Sequence, residues 1–447
     1  MPLRGTPQFL IAHFPFAAGE NPCTKSRVLW YTYGKGEDLP MKKTRLRAYA
    51  RLIAGTGVNV QKGQAVRIIA ELEQPDFVAM LTEECYRLGA SKVTVDWMYQ
   101  PLTKLHVRYQ SLRTLSAVED WEKARLQHYV DTVPCRIYLL SEDPDGLKGI
   151  RREKYTVSSQ RRMLAIKPYR DQLDGKEQWC IASVPGRGWA KKVFPELRPA
   201  AAVEKLWEAI LDTSRVTDDP EAAWREHNEN LHKRCAYLNS LGIRRLHYTA
   251  ANGTDLTVGL IPEGRFCAGR EETVAGIAFN PNIPSEECFI SPKRGEADGI
   301  VYSSKPLAWE GDLIDRFWFK FEGGRVVDCG AEVNDALLHK LVKMDDGAAY
   351  LGECALVPFE SPINQTGILF YNTLFDENAC CHLALGRGFF DTIRDFQTRT
   401  REEMHALGVN DSIIHEDFMI GTDDLNIDAE TADGKTVPIF RNGTWAF

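Results

Sequence analysis

Glu353, His382, His415 and Asp417 stand in a stretch from Tyr350 to Asp417 that is otherwise rich in Leu, Ile, Phe, Ala and Gly. An ionisable side chain in such surroundings must be paired, hydrogen-bonded or bound to a metal. Two carboxylates and two imidazoles are metal-ligand types. In SIIHEDFMIG, period-two alternation puts His415 and Asp417 on one face of a strand and Glu416 on the other. The pair can converge on one ion, and a core His–Asp hydrogen bond would use the same two residues. His382 lies in DENACCHLALG, where Ala379, Ala384 and Gly386 keep the backbone approachable; taken alone it reads as a structural histidine. Glu353, at the edge of the apolar segment CALVP, needs a cation, either a metal or an arginine. A further carboxylate comes from Glu286 or Glu287 in PNIPSEECF, which could also be a solvated pair. Asp376 and Glu377 read as capping or supporting groups of the loop before His382.

Three carboxylates and two imidazoles exceed what one tetrahedral zinc needs, and carboxylates can bridge. The set therefore points to two divalent ions and to hydrolysis by a shared, acidified water. No G-x-S-x-G elbow and no H-E-x-x-H helix offers another route.

The elements that must position these residues fall into two groups. From Met41 onward a helical run ending at Gly55 and Gly57 leads into a buried strand around Val66 to Ala70, a helix opened by Pro75 and the strand KVTVDW. Strand, helix, strand at this spacing is a βαβ unit, hence a parallel sheet. The pattern continues through a strand at Cys135–Ser141, a basic helix at Ser158–Ile166 and the strand QWCIASVP. No strand end carries a glycine-rich phosphate loop, so this half is assigned no cofactor. A charged helix from Asp218 to Leu241 connects the halves; His227 and His232 on it are five apart and fall on different faces. Short alternating strands follow, with Asn252-Gly253 and Gly323-Gly324 as hairpin bends. The fold class is thus an α/β N-terminal domain with a parallel sheet plus an α+β C-terminal catalytic domain with mainly antiparallel strands. The expected division is 1–40 as an arm, 41–240 and 241–447.

Two domains also suit 447 residues. With 62 acidic and 55 basic residues the net charge is −7, without the basic excess that neutralises nucleic-acid phosphates. The cysteines are odd in number and form no C-x-x-C pair, which suits buried thiols in a reducing compartment, the cytoplasm by default. No apolar run reaches transmembrane length. Phe9–Ala18 faintly resembles a signal peptide, but His13 and Pro15 interrupt it.

The motifs NPNIPSEE, LGECALVP, SPI, LFDENACCHLALG, NDSIIHEDFMIG and VPIFRNGTWAF, in this order, resemble the aminopeptidase T, aminopeptidase S and PepS metallopeptidases. The resemblance covers about Leu46 to Phe447. It implies a co-catalytic pair of divalent ions (Zn, Co or Mn), peptide substrates with a free N-terminus and a homodimer. Its ligand positions fall on Glu287, Glu353, His382, His415 and Asp417, and by analogy with other two-metal aminopeptidases Glu286 is the expected general base. Members commonly carry a tyrosine after the first ligand histidine, where this chain has Phe389. A rival reading takes His382, His415 and Asp417 alone as a two-His-one-carboxylate set for a mononuclear Fe(II) ring-cleaving dioxygenase of the hydroxypyridine type.

Overall fold

Val66, Ile68 and Ala70 alternate along one strand, and Ile137 and Leu139 along another, so each strand can press one face onto a shared core. These strands belong to a four-stranded parallel sheet: β1 (Ala65–Glu71), β2 (Lys92–Met98), β3 (Cys135–Leu140) and β4 (Trp179–Ser183), ordered β2-β1-β3-β4. The computed structural model describes residues 39–309 and 312–447. The expected arm, with its Phe9–Ala18 stretch, lies outside the described residues except for its last two positions. Residues 41–447 form one compact unit.

Helices cover both faces of the parallel sheet, including Pro75–Arg87, Asp120–Thr132, Arg152–Leu173 and Pro199–Thr213. The first helix, Leu39–Leu52, widens into a π turn over Ile53–Gly57 where the glycines of the sequence fall. A side chain at Gly57 would meet Cys180 Sγ at 2.8 Å, so the missing Cβ is what lets this turn lie on β4. The same core takes in Ile283, Ile363, Phe370, Phe375 and Ala379 from the second half of the chain. Trp189 adds a polar tie, its Nε1 donating to Phe370 O at 2.5 Å. The residues leading to His382 are therefore anchored on the N-terminal core.

Helix Pro220–Ser240 leads into the second half. A large sheet contains β5 (Ile243–Thr249), β6 (Asp255–Leu260), β10 (Pro292–Tyr302), β11 (Leu307–Trp309), β12 (Asp312–Glu322), β13 (Arg325–Val333), β17 (Asn426–Thr431), β18 (Thr436–Arg441) and β19 (Thr444–Trp445). Its order is β11-β12-β10-β6-β5-β17-β18-β19, with β13 on β12, and every pairing is antiparallel. The Asn252-Gly253 and Gly323-Gly324 bends join β5 to β6 and β12 to β13, as the turn chemistry requires. A short pair, β7 (Glu271–Glu272) and β8 (Ala278–Phe279), stands apart. The remaining sheet, ordered β16-β15-β14-β9, joins β9 (Cys288–Ile290), β14 (Leu351–Leu356), β15 (His382–Gly386) and β16 (His415–Met419). Leu246, Val258, Phe319, Leu383 and Phe418 share a core between these layers. The fold class read from the sequence is the one observed.

Candidate metal centre

One small sheet carries the candidate ligands. Glu287 immediately precedes β9, Glu353 lies in β14, His382 opens β15, and His415 and Asp417 lie on β16. In register, Ala384 of β15 pairs with Glu353 on one side and Asp417 on the other. A methyl group at that central position leaves the two flanking carboxylates room to converge. Backbone has to come close as well: a Cβ at Gly386 would sit 2.2 Å from Ile414 O, and one at Gly352 would sit 2.4 Å from Arg387 O. With φ at +103°, Gly386 also occupies a conformation costly for any other residue.

The donors form two triples, Glu287–Glu353–His382 and Glu353–His415–Asp417, each with ligand atoms within 4.8 Å of one another. Glu353 belongs to both. His382 Nε2 lies 3.2 Å from Glu287 Oε2, and His415 Nε2 lies 3.0 Å from Glu353 Oε2 and 3.4 Å from Asp417 Oδ1. Each ring is oriented from behind: His415 Nδ1 is 2.6 Å from Arg387 O and His382 Nδ1 is 3.3 Å from Cys380 O. A carbonyl cannot donate, so Nδ1 carries the proton and Nε2 faces the cluster, the arrangement of a metal-binding imidazole. Glu416 points elsewhere and accepts from Trp309 Nε1 at 3.1 Å, in keeping with strand alternation.

Electrostatics mark the site as short of positive charge. Burial, reinforced by Glu287 and Asp417, raises the Glu353 carboxyl against the opposing His415 hydrogen bond. Burial would lower both imidazoles, yet the surrounding carboxylates overcome it; His382 rises to about 9 and His415 well above its ordinary value. Asp417, which burial alone would raise, is held low by the two histidines. Its Oδ1 is nevertheless buried with no hydrogen-bond partner, an atom whose lone pairs suit a cation. Carboxylate and imidazole donors without a thiolate fit zinc, cobalt or manganese. The ten described cysteines are free, and the nearby Cys380 and Cys381 thiols are raised by burial.

Asp376 and Glu377, expected as capping or supporting groups, take different parts. Asp376 behaves as a loop cap, accepting from Phe370 N and Asn372 N at 2.9 and 3.0 Å. Its neighbour Glu377 instead lies beside the cluster, where burial, Asp417, Glu287 and Glu353 raise its carboxyl well above the usual range. The only sequence signal was an acid five residues before a candidate ligand histidine. Glu286 and Glu287, adjacent in the chain, diverge: Glu287 enters the cluster, while Glu286 is clamped by Arg215 through both oxygens, one contact at 2.7 Å. His227 Nε2 lies 3.9 Å from Glu286 and 2.7 Å from Ser285 O. The Glu286 N–H donates to Asn378 Oδ1 at 2.7 Å, which ties this segment to the Glu377 loop. The Phe389 ring lies 4.7 Å from the His415 ring and 5.7 Å from Phe289.

Comparison with known proteins gives a consistent picture. A family model described as thermophilic metalloprotease (M29) matches residues 42–445. The chain is 41% identical to aminopeptidase AmpS of Bacillus subtilis (strain 168), over 90% of this chain and 98% of that one. It is 36% identical to aminopeptidase T of Thermus thermophilus, again over 90% and 98%. The solved structure of wild-type AmpT from Thermus thermophilus superposes with a TM-score of 0.84 at 35% identity, covering 91% of this chain and all of that one (100%). The ring-cleaving dioxygenase expectation finds no support in these likenesses. Glu287 and Glu353 also stand within the same cluster as its His-His-Asp set, which makes the site richer in carboxylate than a mononuclear iron facial triad.

Proposed function

The chain belongs to the thermophilic metalloprotease (M29) family, and from that premise we propose that it is a metal-dependent aminopeptidase that removes N-terminal residues from peptides with the help of two divalent ions. The observation that carries this reading is the pair of donor triples sharing Glu353. Glu287, Glu353 and His382 would hold one ion, and Glu353, His415 and Asp417 the other, with Glu377 as an additional ligand beside Asp417. Zinc, cobalt or manganese bound there would supply Lewis acidity to the scissile carbonyl and acidify a water.

The protein's own groups do the rest. His415 and His382 keep Nε2 aimed inward because their Nδ1 protons are engaged by backbone carbonyls. His415 retains 24% side-chain exposure, which supports entry of the peptide end on this side of the cluster. The free α-amine of that peptide is matched by the carboxylate excess. Glu286 is the general base in this reading: Arg215 fixes both of its oxygens, yet each carboxylate oxygen keeps a second lone pair to take a proton from the attacking water and pass it to the leaving amine. Phe389 offers no hydroxyl to the oxyanion. A cytoplasmic homodimer completes the proposal; the free cysteines suit a reducing compartment, and no helix among the described residues is long and apolar enough to cross a membrane.

The test measures metal content and hydrolysis of leucyl and arginyl chromogenic amides on one purified sample, chelated and then given back zinc, cobalt or manganese. Activity that returns at two ions per chain supports the reading. Tight binding of a single iron, or activity indifferent to chelation, overturns it. Sedimentation and cell fractionation check the dimer and the compartment.

A further inference from the structure

The parallel sheet treats its two faces differently. Val66, Ile68, Ile137 and Leu139 point into the core, and strand alternation sends the residues between them to the other side. There the sheet presents Arg67, Arg136 and Tyr138. Arg67 and Arg136 are register partners on adjacent strands, so two guanidinium groups lie side by side. Parallel sheets covered by helices are ordinarily apolar on both faces, and like charges directly opposite are destabilising. A pair of buried-side arginines at this position calls for a counter-charge.

The protein supplies only part of it. Between this face and helices Asp120–Thr132 and Arg152–Leu173 lies a cavity of about 230 Å³. Its charged lining consists of Arg67, Arg136 and Arg170 against a single carboxylate, Glu177. Glu177 takes Arg136 Nη2 at 2.8 Å. Asp96 takes Arg67 Nε at 2.7 Å, but it also serves Arg125 at 3.1 Å, so its charge is divided. Arg136 Nε is buried without a partner, and Arg170 makes no ion pair among the described residues. Tyrosines hold the guanidinium planes in place: Arg67 lies 4.6 Å over the Tyr129 ring and Arg136 lies 5.2 Å over that of Tyr138. Unspent N–H donors and tyrosine side chains thus line one partly enclosed space.

We propose that this cavity is a binding site for a small oxyanion, a phosphate or a short carboxylate. Guanidinium forks match both groups in geometry and charge. The volume equals roughly seven or eight waters at about 30 Å³ each, enough for such an ion and too little for a nucleotide. Location excludes a nucleotide as well: Arg67 and Arg136 lie near the N-terminal ends of β1 and β3, whereas doubly wound sheets bind nucleotides at the C-terminal ends.

Calorimetric titration of the metal-loaded full chain with inorganic phosphate, and separately with succinate, tests this at ionic strength held constant with chloride. The expected result is saturable binding of at least one of them with Kd below about 1 mM, weakened at least tenfold by Arg170→Gln and by Arg136→Lys. Arg113→Gln, an exposed arginine elsewhere, should leave it unchanged. The stronger ligand of the two tells phosphate from carboxylate. Should Arg136→Lys fail to fold, Arg170→Gln decides alone, since Arg170 is exposed and makes no ion pair among the described residues. Absence of saturable binding by either ion overturns the proposal. So does phosphate binding that survives Arg170→Gln and disappears in Glu353→Ala, which would put the anion at the metal centre. Peptide hydrolysis reads the other site, so either proposal can fail without the other.

Discussion

Two places in this molecule bury a carboxylate beside other carboxylates, and they resolve the repulsion differently. At the C-terminal end of β1, Glu71 is buried (5% exposed), with its carboxyl raised to about 7 by burial and by Glu142 and Glu73. At β14 to β16, Glu287, Glu353, Glu377 and Asp417 meet two imidazoles. Among the described residues, donor triples close enough for one ion occur only at the second place. Burial of acids alone is relieved by a proton. A shared carboxylate with imidazoles whose Nε2 atoms are pre-aimed offers converging lone pairs, the donor arrangement that suits a cation.

The comparison breaks most directly at Glu353. Replacing it by Ala removes the group common to both triples; metal analysis should show fewer than two ions per chain, and hydrolysis should fall by more than about 10³-fold, beyond the loss of one oxyanion donor. A variant that keeps both ions and turns over would end the two-ion reading. Glu286→Gln separates chemistry from metal binding: kcat should drop about 10²–10⁴-fold with metal content intact. If the variant stays active, the Arg215–Glu286 pair is an anchor and the base lies elsewhere. Phe389→Tyr would place a hydroxyl on the ring that lies 4.7 Å from that of His415. An increase in kcat of up to about 10²-fold is expected in steady-state assays; an unchanged kcat means another donor already serves the oxyanion.

The smallest effect is at the other cluster. The folded-state value of Glu71 lies above its ordinary 4.5, so the folded protein carries no penalty below about pH 4.5, acquires one as the pH rises, and bears it in full above about pH 7. Glu71→Gln removes that penalty. Melting scans should show the variant about 1–2 °C more stable at pH 8, after allowance for solvent screening, and no gain at pH 4. A gain at both pH values would mean the effect is packing rather than charge.

Much of this was legible in the chain. Asn252-Gly253 and Gly323-Gly324 announced hairpins because few other pairs tolerate those backbone angles, and alternation in HEDFM separated His415 and Asp417 from Glu416. Glu377 was legible only as a capping or supporting group, because its place beside Asp417 depends on β15 pairing with β16. Nothing local links Arg67, Arg136 and Arg170, since the chain by itself does not say that β1 and β3 are neighbours in register.

By itself, then, the sequence determined the kinds of element and the kinds of ligand: periodicity, turn residues and the need of buried acids and imidazoles for partners are all local properties. Only the tertiary structure decided that Glu353 is shared between two triples, that Glu286 turns to Arg215 while Glu287 turns inward, and that three arginines surround one cavity. Those outcomes depend on which strands pair and in what register, and side chains far apart in the chain acquire a common environment only when that pairing is made.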